Sequence, residues 1–221
     1  MAIYIEDGQR VKVFVPRNIS EDTVKDFLSK KTAWINRHII CDKSSEKGSG
    51  GLVYSDGAMF LFLGKTYPLR YYPYEGKKAT VRLWQDSLQI SVPWAMPCDD
   101  IEPSIAHALK AWYRKQAKTM IAQRVLDLGR PFHISPEQVM VKTQKHLWGS
   151  CYPRKRMIYI NWKIIMAPPQ VVDYVLIHEF CHLLEPNHSS RFWQRVRSCC
   201  AAYQECVGWL KDNAPRMRFS S

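Results

Sequence analysis

Two histidines four positions apart, His178 and His182, with a glutamate directly after the first, restrict the folding of this chain more than anything else in it. Four residues are about one helical turn, so His178-Glu179-Phe180-Cys181-His182 places both imidazoles on one face only if it is helical. From that face they can grip one metal ion. Val175, Leu176 and Ile177 before the pair, and Leu183 and Leu184 after it, give this helix apolar flanks. Pro186 stops the helix and Asn187 favours a turn, so His188 falls where a returning loop presents it to the same ion. Three protein ligands leave one coordination position open, the pattern of a catalytic rather than a structural zinc. Glu179 is then the general base, because a zinc ion acidifies water and the adjacent carboxylate can take the proton. Without a metal, burying two His and a Glu on one apolar helix leaves polar groups unpaired at a cost of several kcal/mol. The expected cofactor is Zn2+, and Fe, Ni or Co also suit three imidazoles.

Composition narrows the setting. The chain has 221 residues, of which 46% are hydrophobic, with 8 Trp, 11 Tyr and 8 Phe, so it has material for a packed core. Its longest apolar runs fall well short of the roughly 20 residues a membrane helix needs, and no membrane association is expected. The opening MAIYIEDGQR lacks the basic and apolar regions of a signal peptide, and a cytoplasmic location is expected. The 7 Cys are odd in number, scattered and without a C-x-x-C pair, which suits reduced thiols and excludes a Cys-rich zinc ribbon. The formal net charge of +12 favours anionic partners: an anionic or peptide substrate, a nucleotide, or nucleic acid. The densest basic pieces are Lys30-Lys31, Arg154-Lys155-Arg156 and Arg216-Met217-Arg218, each of which also reads as ordinary solvated surface.

The pattern along the chain is α+β. A hairpin is expected from Ile3–Ile5 and Val11–Val15 around Asp7-Gly8, then a helix over about 20–38 capped by Ser20. A polar linker follows at 42–51. Runs at 59–63, 67–72, 80–84 and 88–92 read as an antiparallel sheet. Its Tyr67, Tyr71, Tyr72 and Tyr74 read first as sheet-face packing and second as a stacking surface for bases. A long helix is expected over 99–128, closed by Gly129 and Pro131. Strands at 138–142, 145–152 and 157–161 come next, then a helix from Pro168-Pro169 to about Leu184 and one last helix over 189–210. Residues 1–95 therefore form a mostly antiparallel β-rich region with one helix. Residues 96–221 form a helix-sheet-helix domain that carries the histidines.

Trp148-Gly149-Ser150-Cys151, Ile158-Tyr159-Ile160-Asn161-Trp162, Ala167-Pro168, Val172-Asp173-Tyr174-Val175, His178–His182, Asn187-His188-Ser189 and Phe192-Trp193 together resemble the YgjP-like metal-dependent hydrolases, relatives of the SprT-type zincin peptidases. The likeness extends to Trp34-Ile35 and to Leu63-Gly64-Lys65 with Tyr67, and is densest over 148–193. It implies a minimal zincin-like catalytic domain with the three histidines and Glu179 in the roles above. Leu147 stands where the resemblance leads one to look for a basic residue.

A zincin strand beside the ligand helix can pair with an extended substrate. Gly149 would permit close backbone approach, and Ser150 either donates a hydrogen bond there or belongs, with Trp148 and Cys151, to a core in which Gly149 marks a bulge. Cys181 reads as packing rather than ligand, and Phe192, Trp193, Val196, Cys200 and Tyr203 as the apolar face of the last helix. His38, His107 and His133 read as surface or capping residues, and His146 as a weaker candidate near the site.

Three functions remain open to the sequence. The first is a zinc metallopeptidase. The second keeps the metal and changes the substrate to a nucleoside triphosphate, a UTP pyrophosphatase activity that the family resemblance also implies. No Walker-type loop is present, so phosphates would have to be held by Arg and Lys side chains. The third is a nucleic-acid-binding module with structural zinc, which the open coordination position and the adjacent glutamate disfavour.

Overall fold

The computed structural model describes residues 2–6, 10–15, 19–44, 54–132, 135–217 and 219. By its internal packing the chain divides into two compact units. One comprises Met1–Phe60, Thr66–Trp112 and Phe219–Ser221, and the other Leu61–Lys65 and Tyr113–Arg218. Helices and mixed sheets make the fold α+β, with strands concentrated towards the N-terminus and helices later.

In the first unit, β1 (Ala2–Glu6) and β2 (Arg10–Phe14) pair antiparallel with Ala2 opposite Phe14 and Glu6 opposite Arg10, the hairpin expected there. Its Asp7-Gly8 turn lies outside the described residues. Helix α1 (Glu21–Ser44) opens at Ser20, whose hydroxyl accepts from the Thr23 amide at 3.3 Å, with Glu21 and Asp22 complementing the dipole. It runs into the segment assigned to a linker; the rest of that linker, 45–51, lies outside the described residues.

Four strands follow: β3 (Met59–Phe62), β4 (Lys65–Tyr74), β5 (Thr80–Trp84) and β6 (Ser87–Pro93), in the sheet order β3-β4-β6-β5. This is not the antiparallel sheet the sequence suggested, because β4 and β6 run parallel from Leu69 opposite Leu88 to Tyr74 opposite Pro93. The reason is burial. Leu88, Ile90 and Val92 are wholly buried, so β6 takes the place between two neighbours, while β5, with Arg82 and an exposed Trp84, goes to the edge as its antiparallel partner. The β5–β6 turn uses Gln85 and Asp86, both at positive φ, as a two-residue hairpin turn requires. Tyr71 is buried, Tyr72 accepts from Gln89, and Arg70 pairs with Asp56 at 2.8 Å, so the tyrosine-rich strand is built for packing.

Helix α2 (Cys98–Phe132) continues past the expected stop, through Gly129 and Pro131. Strands β7 (Gln138–Lys142), β8 (Gly149–Tyr152) and β9 (Met157–Asn161) form the second unit's sheet, in the order β7-β9-β8. Here β9 runs parallel to β7 and antiparallel to β8. Wholly buried Ile158 and Ile160 explain why β9 is central, so β8 is an edge strand. A 3-10 turn over Trp162–Met166 leads into α3 (Pro169–His182), which buries Val172, Leu176 and Phe180.

The stretch expected to be one last helix is two: α4 (Ser190–Cys199) and α5 (Tyr203–Asn213). Cys200 leaves the helical region, at φ −145 and ψ 89, although 200–202 contains neither Gly nor Pro. The break lets each helix bury its own anchors, Phe192 and Val196 on α4 and Cys206 and Leu210 on α5. Tertiary packing overrides local propensity here. No helix among the described residues is long and apolar enough to cross a membrane.

Candidate metal centre

Helix α3 is aimed by its entry. Leu63 and Gly64, both at positive φ, turn the chain so that their amides donate to the carbonyls of Ile165 and Met166 at 2.9 Å each. A Cβ on Gly64 would come within 2.6 Å of Pro168 Cγ, so only glycine lets this turn close on the residue that precedes α3. Deeper in the unit, Arg124 of α2 grips the carboxylate of Asp173 with two nitrogens, at 2.6 and 2.5 Å. These contacts hold the helix in place before any ligand is considered.

His178 and His182 project from one face of α3, as their spacing requires. The chain leaves the helix after His182, with Glu185 N donating to Cys181 O at 2.9 Å, and passes Pro186-Asn187 to His188. Ser189 then caps α4, accepting from the Phe192 amide at 3.3 Å, so His188 sits between a helix stop and a helix start. The three imidazoles meet: one nitrogen from each of His178, His182 and His188 lies within 4.8 Å of the others. The Nε2 atoms of His178 and His188 are 3.2 Å apart. Two nitrogens each about 2.05 Å from a tetrahedral ion stand about 3.3 Å apart, so this spacing suits a shared zinc-like cation.

Protonation state agrees. Burial, then the neighbouring His182 and His188, pushes His178 down to about 4. Burial, followed by the influence of His188, also lowers His182, against a raising effect of the Glu185 carbonyl. Both rings are therefore neutral near pH 7, the form that ligates metal. The Nδ1 of His182 donates to the Glu185 carbonyl at 3.2 Å, which leaves its Nε2 lone pair free. The Nδ1 of His178 lies 3.5 Å from the Tyr174 hydroxyl on the same helix.

Beneath the histidines lies Phe192, wholly buried, whose ring centroid is 4.9, 4.4 and 4.8 Å from those of His178, His182 and His188. Trp193 stacks on His188 at 5.6 Å, on Tyr203 at 5.5 Å, and lies edge-on to His178. The sequence placed Phe192 and Trp193 on an apolar face; it did not reveal that one ring would floor all three imidazoles.

Glu179 is buried, and burial pushes its carboxyl up to about 8. A cation alongside would counter that shift by favouring the charged form. Its nearest constraint is Gly149 on β8, where a Cβ would come 2.5 Å from Glu179 Oε1 and 2.7 Å from Cγ. Gly149 therefore clears space for the glutamate. Cys151, on the same face of β8, is pushed up to about 12 by burial and then by Glu179, which keeps it a neutral thiol. Ser150 points to the other face, where its oxygen accepts from Gln144 at 3.0 Å. Of its two readings, the structure favours a structural one.

Asn161 is a positioning residue that sequence reasoning passed over. Its Nδ2 donates to the carbonyls of Gln144 and Leu147 at 2.9 Å each, and its amide donates to Trp148 O at 2.8 Å. The end of β9 thus clips the loop that delivers β8, and the sequence marks Asn161 only by its place in the Ile158–Trp162 run. Leu147 itself is exposed, and Cys181 is buried packing. His146 lies in the clipped loop, outside the triad. His107 lies on α2, and His133 is outside the described residues.

No curated protein matches the chain. Among solved structures it is similar to the metallopeptidase zymogen of Pyrococcus abyssi abylysin, at 17% identity over 46% of this chain and 99% of that one, with a TM-score of 0.39. The family described as YgjP-like, metallopeptidase domain, matches residues 1–213, nearly the whole length, and the chain belongs to this family of metal-dependent hydrolases.

Proposed function

We propose that the chain is a zinc-dependent metallopeptidase in which His178, His182 and His188 hold the ion and Glu179 is the general base. One observation carries the reading: three imidazole nitrogens, two from α3 and one from the loop after it, converge within 4.8 Å, and the residue next to His178 on α3 is a buried glutamate. Two of the rings are partly buried and His188 is exposed, so the cluster opens to solvent on one side, where water and substrate can enter. Zinc bound there would acidify water and polarise a carbonyl.

The chain's own residues supply the rest. Glu179, held against Gly149, accepts the proton of the attacking water and returns it to the leaving amine. The burial that raises its pKa favours taking that proton up. Among the described residues β8 pairs with β9 alone, and its other edge is suited to an extended peptide. Cytoplasmic residence fits the reduced thiols, and the positive charge fits substrates rich in carboxylates.

The test is to assay zinc-loaded protein in parallel on an unfolded polypeptide and on UTP. Cleavage of the polypeptide, abolished by a chelator and restored by zinc, is the expected result. Hydrolysis of UTP with the polypeptide left intact overturns the peptidase reading in favour of a pyrophosphatase.

A further inference from the structure

Helices α4 and α5 enclose a groove of about 750 Å³ beside the histidine cluster. Trp193 and Tyr203 line it, with Val207, Gln194, Gln204 and Arg197. Trp193 is the wall common to the two places, since the same indole stacks on His188. Among the side chains that line the groove, the charged one is the Arg197 guanidinium. Among the described residues no carboxylate lines it.

Arg197 also differs from its neighbour on α4. Arg195 is paired with Glu185, its Nε 3.6 Å from Oε1, whereas Arg197 is exposed and has no carboxylate partner among the described residues. Helix α4, SRFWQRVRSC, contains no acidic residue that could neutralise it. A half-open groove with aromatic and aliphatic walls, two amides and one unneutralised cation complements a side chain with an apolar stem and a single negative head. A triphosphate calls for several convergent cations, and the groove has one.

We propose that this groove is a substrate subsite that selects an acidic residue, glutamate or aspartate, in a peptide whose scissile bond lies at the histidine cluster. The inference rests on the metallopeptidase reading above and adds the substrate's chemistry to it. Arg197 is the specificity-determining residue, with Trp193 and Tyr203 packing against the side-chain stem and Gln194 and Gln204 offering amide donors to the carboxylate. Peptides with lysine or arginine at the same position are rejected.

The experiment separates binding from cleavage. Short labelled peptides, identical except for one Glu, Gln or Lys walked along the chain, are titrated by fluorescence anisotropy against the zinc-loaded full-length Glu179→Gln protein. At one position Glu binds tighter than Gln by roughly fivefold, the scale of a single partly exposed ion pair. Adding Arg197→Glu reverses the order, so that Lys binds best, with circular dichroism and zinc content unchanged. An unaltered order in Arg197→Glu, or no preference at any position, overturns the proposal. So does UTP displacing the peptide with an affinity that falls in Arg197→Glu, since the groove is then a phosphate site. Turnover of the same peptides by the wild-type protein is read separately. Selective binding without cleavage counts against the peptidase reading alone, and cleavage without selectivity against the groove alone.

Discussion

Gly149 and Glu179, thirty positions apart in the sequence, share one space: a methyl group on the glycine would lie 2.5 Å from a carboxylate oxygen of the glutamate. The edge strand and the histidine-bearing helix approach this closely only because the strand has no side chain there. Gly149→Ala must therefore move Glu179 or the strand. A displacement of about 1 Å at a catalytic group costs roughly a hundredfold in rate. The expected result is a kcat lower by that order with zinc content close to wild type, measured by steady-state kinetics and elemental analysis. Full activity in Gly149→Ala contradicts this packing.

Phe192 touches all three imidazoles and is wholly buried. Phe192→Ala leaves a cavity at a cost of about 3–5 kcal/mol, and the protein is expected to lose much of its stability. Phe192→Leu keeps most of the volume and loses the flat floor. Its zinc affinity is expected to fall about tenfold, as for other groups that orient ligands, with a small change in Tm. Competition with a chromophoric chelator measures the affinity, and an unchanged value rules out the platform role.

Asn161 clips the loop before β8 by donating to Gln144 and Leu147. Asn161→Ala strands these carbonyls and is expected to destabilise the fold by about 1–3 kcal/mol. Hydrogen exchange then quickens at the β8 amides, and activity falls while zinc content holds. Loss of zinc in this variant, with β8 protection intact, would place Asn161 in the metal centre instead.

What the sequence revealed and what it withheld divide along sequence distance. The histidine cluster was legible because His178 and His182 are one turn apart and Pro186-Asn187 brings His188 back within six residues. The Gly149–Glu179 approach and the Asn161 clip join separate elements, so their residues could be noticed but not connected. Burial decided the order of the strands: β6 and β9, which hold Leu88, Ile90, Ile158 and Ile160, became central and so gained parallel neighbours. The break between α4 and α5 left no mark, because apolar positions continue through Val196, Cys200, Tyr203, Cys206 and Leu210 at helical spacing.

Metal removal is expected to weaken the second unit. A ligand present at a thousand times its Kd contributes about 4 kcal/mol to stability. For a chain of this size each kcal/mol moves Tm by about 2–4 °C. Stripping zinc with a chelator should therefore lower Tm by roughly 10 °C in a calorimetric scan, and His188→Ala should abolish most of that shift and lower the bound zinc. A chelator-insensitive Tm, or unchanged zinc in His188→Ala, excludes His188 as a ligand.

Glu179→Gln tests the central claim most directly, because it keeps the size of the side chain against Gly149 and removes its basicity. With zinc loading confirmed by elemental analysis, cleavage of an unfolded polypeptide should fall by about 10²–10⁴, the contribution of a general base. Wild-type turnover by zinc-loaded Glu179→Gln would contradict the account.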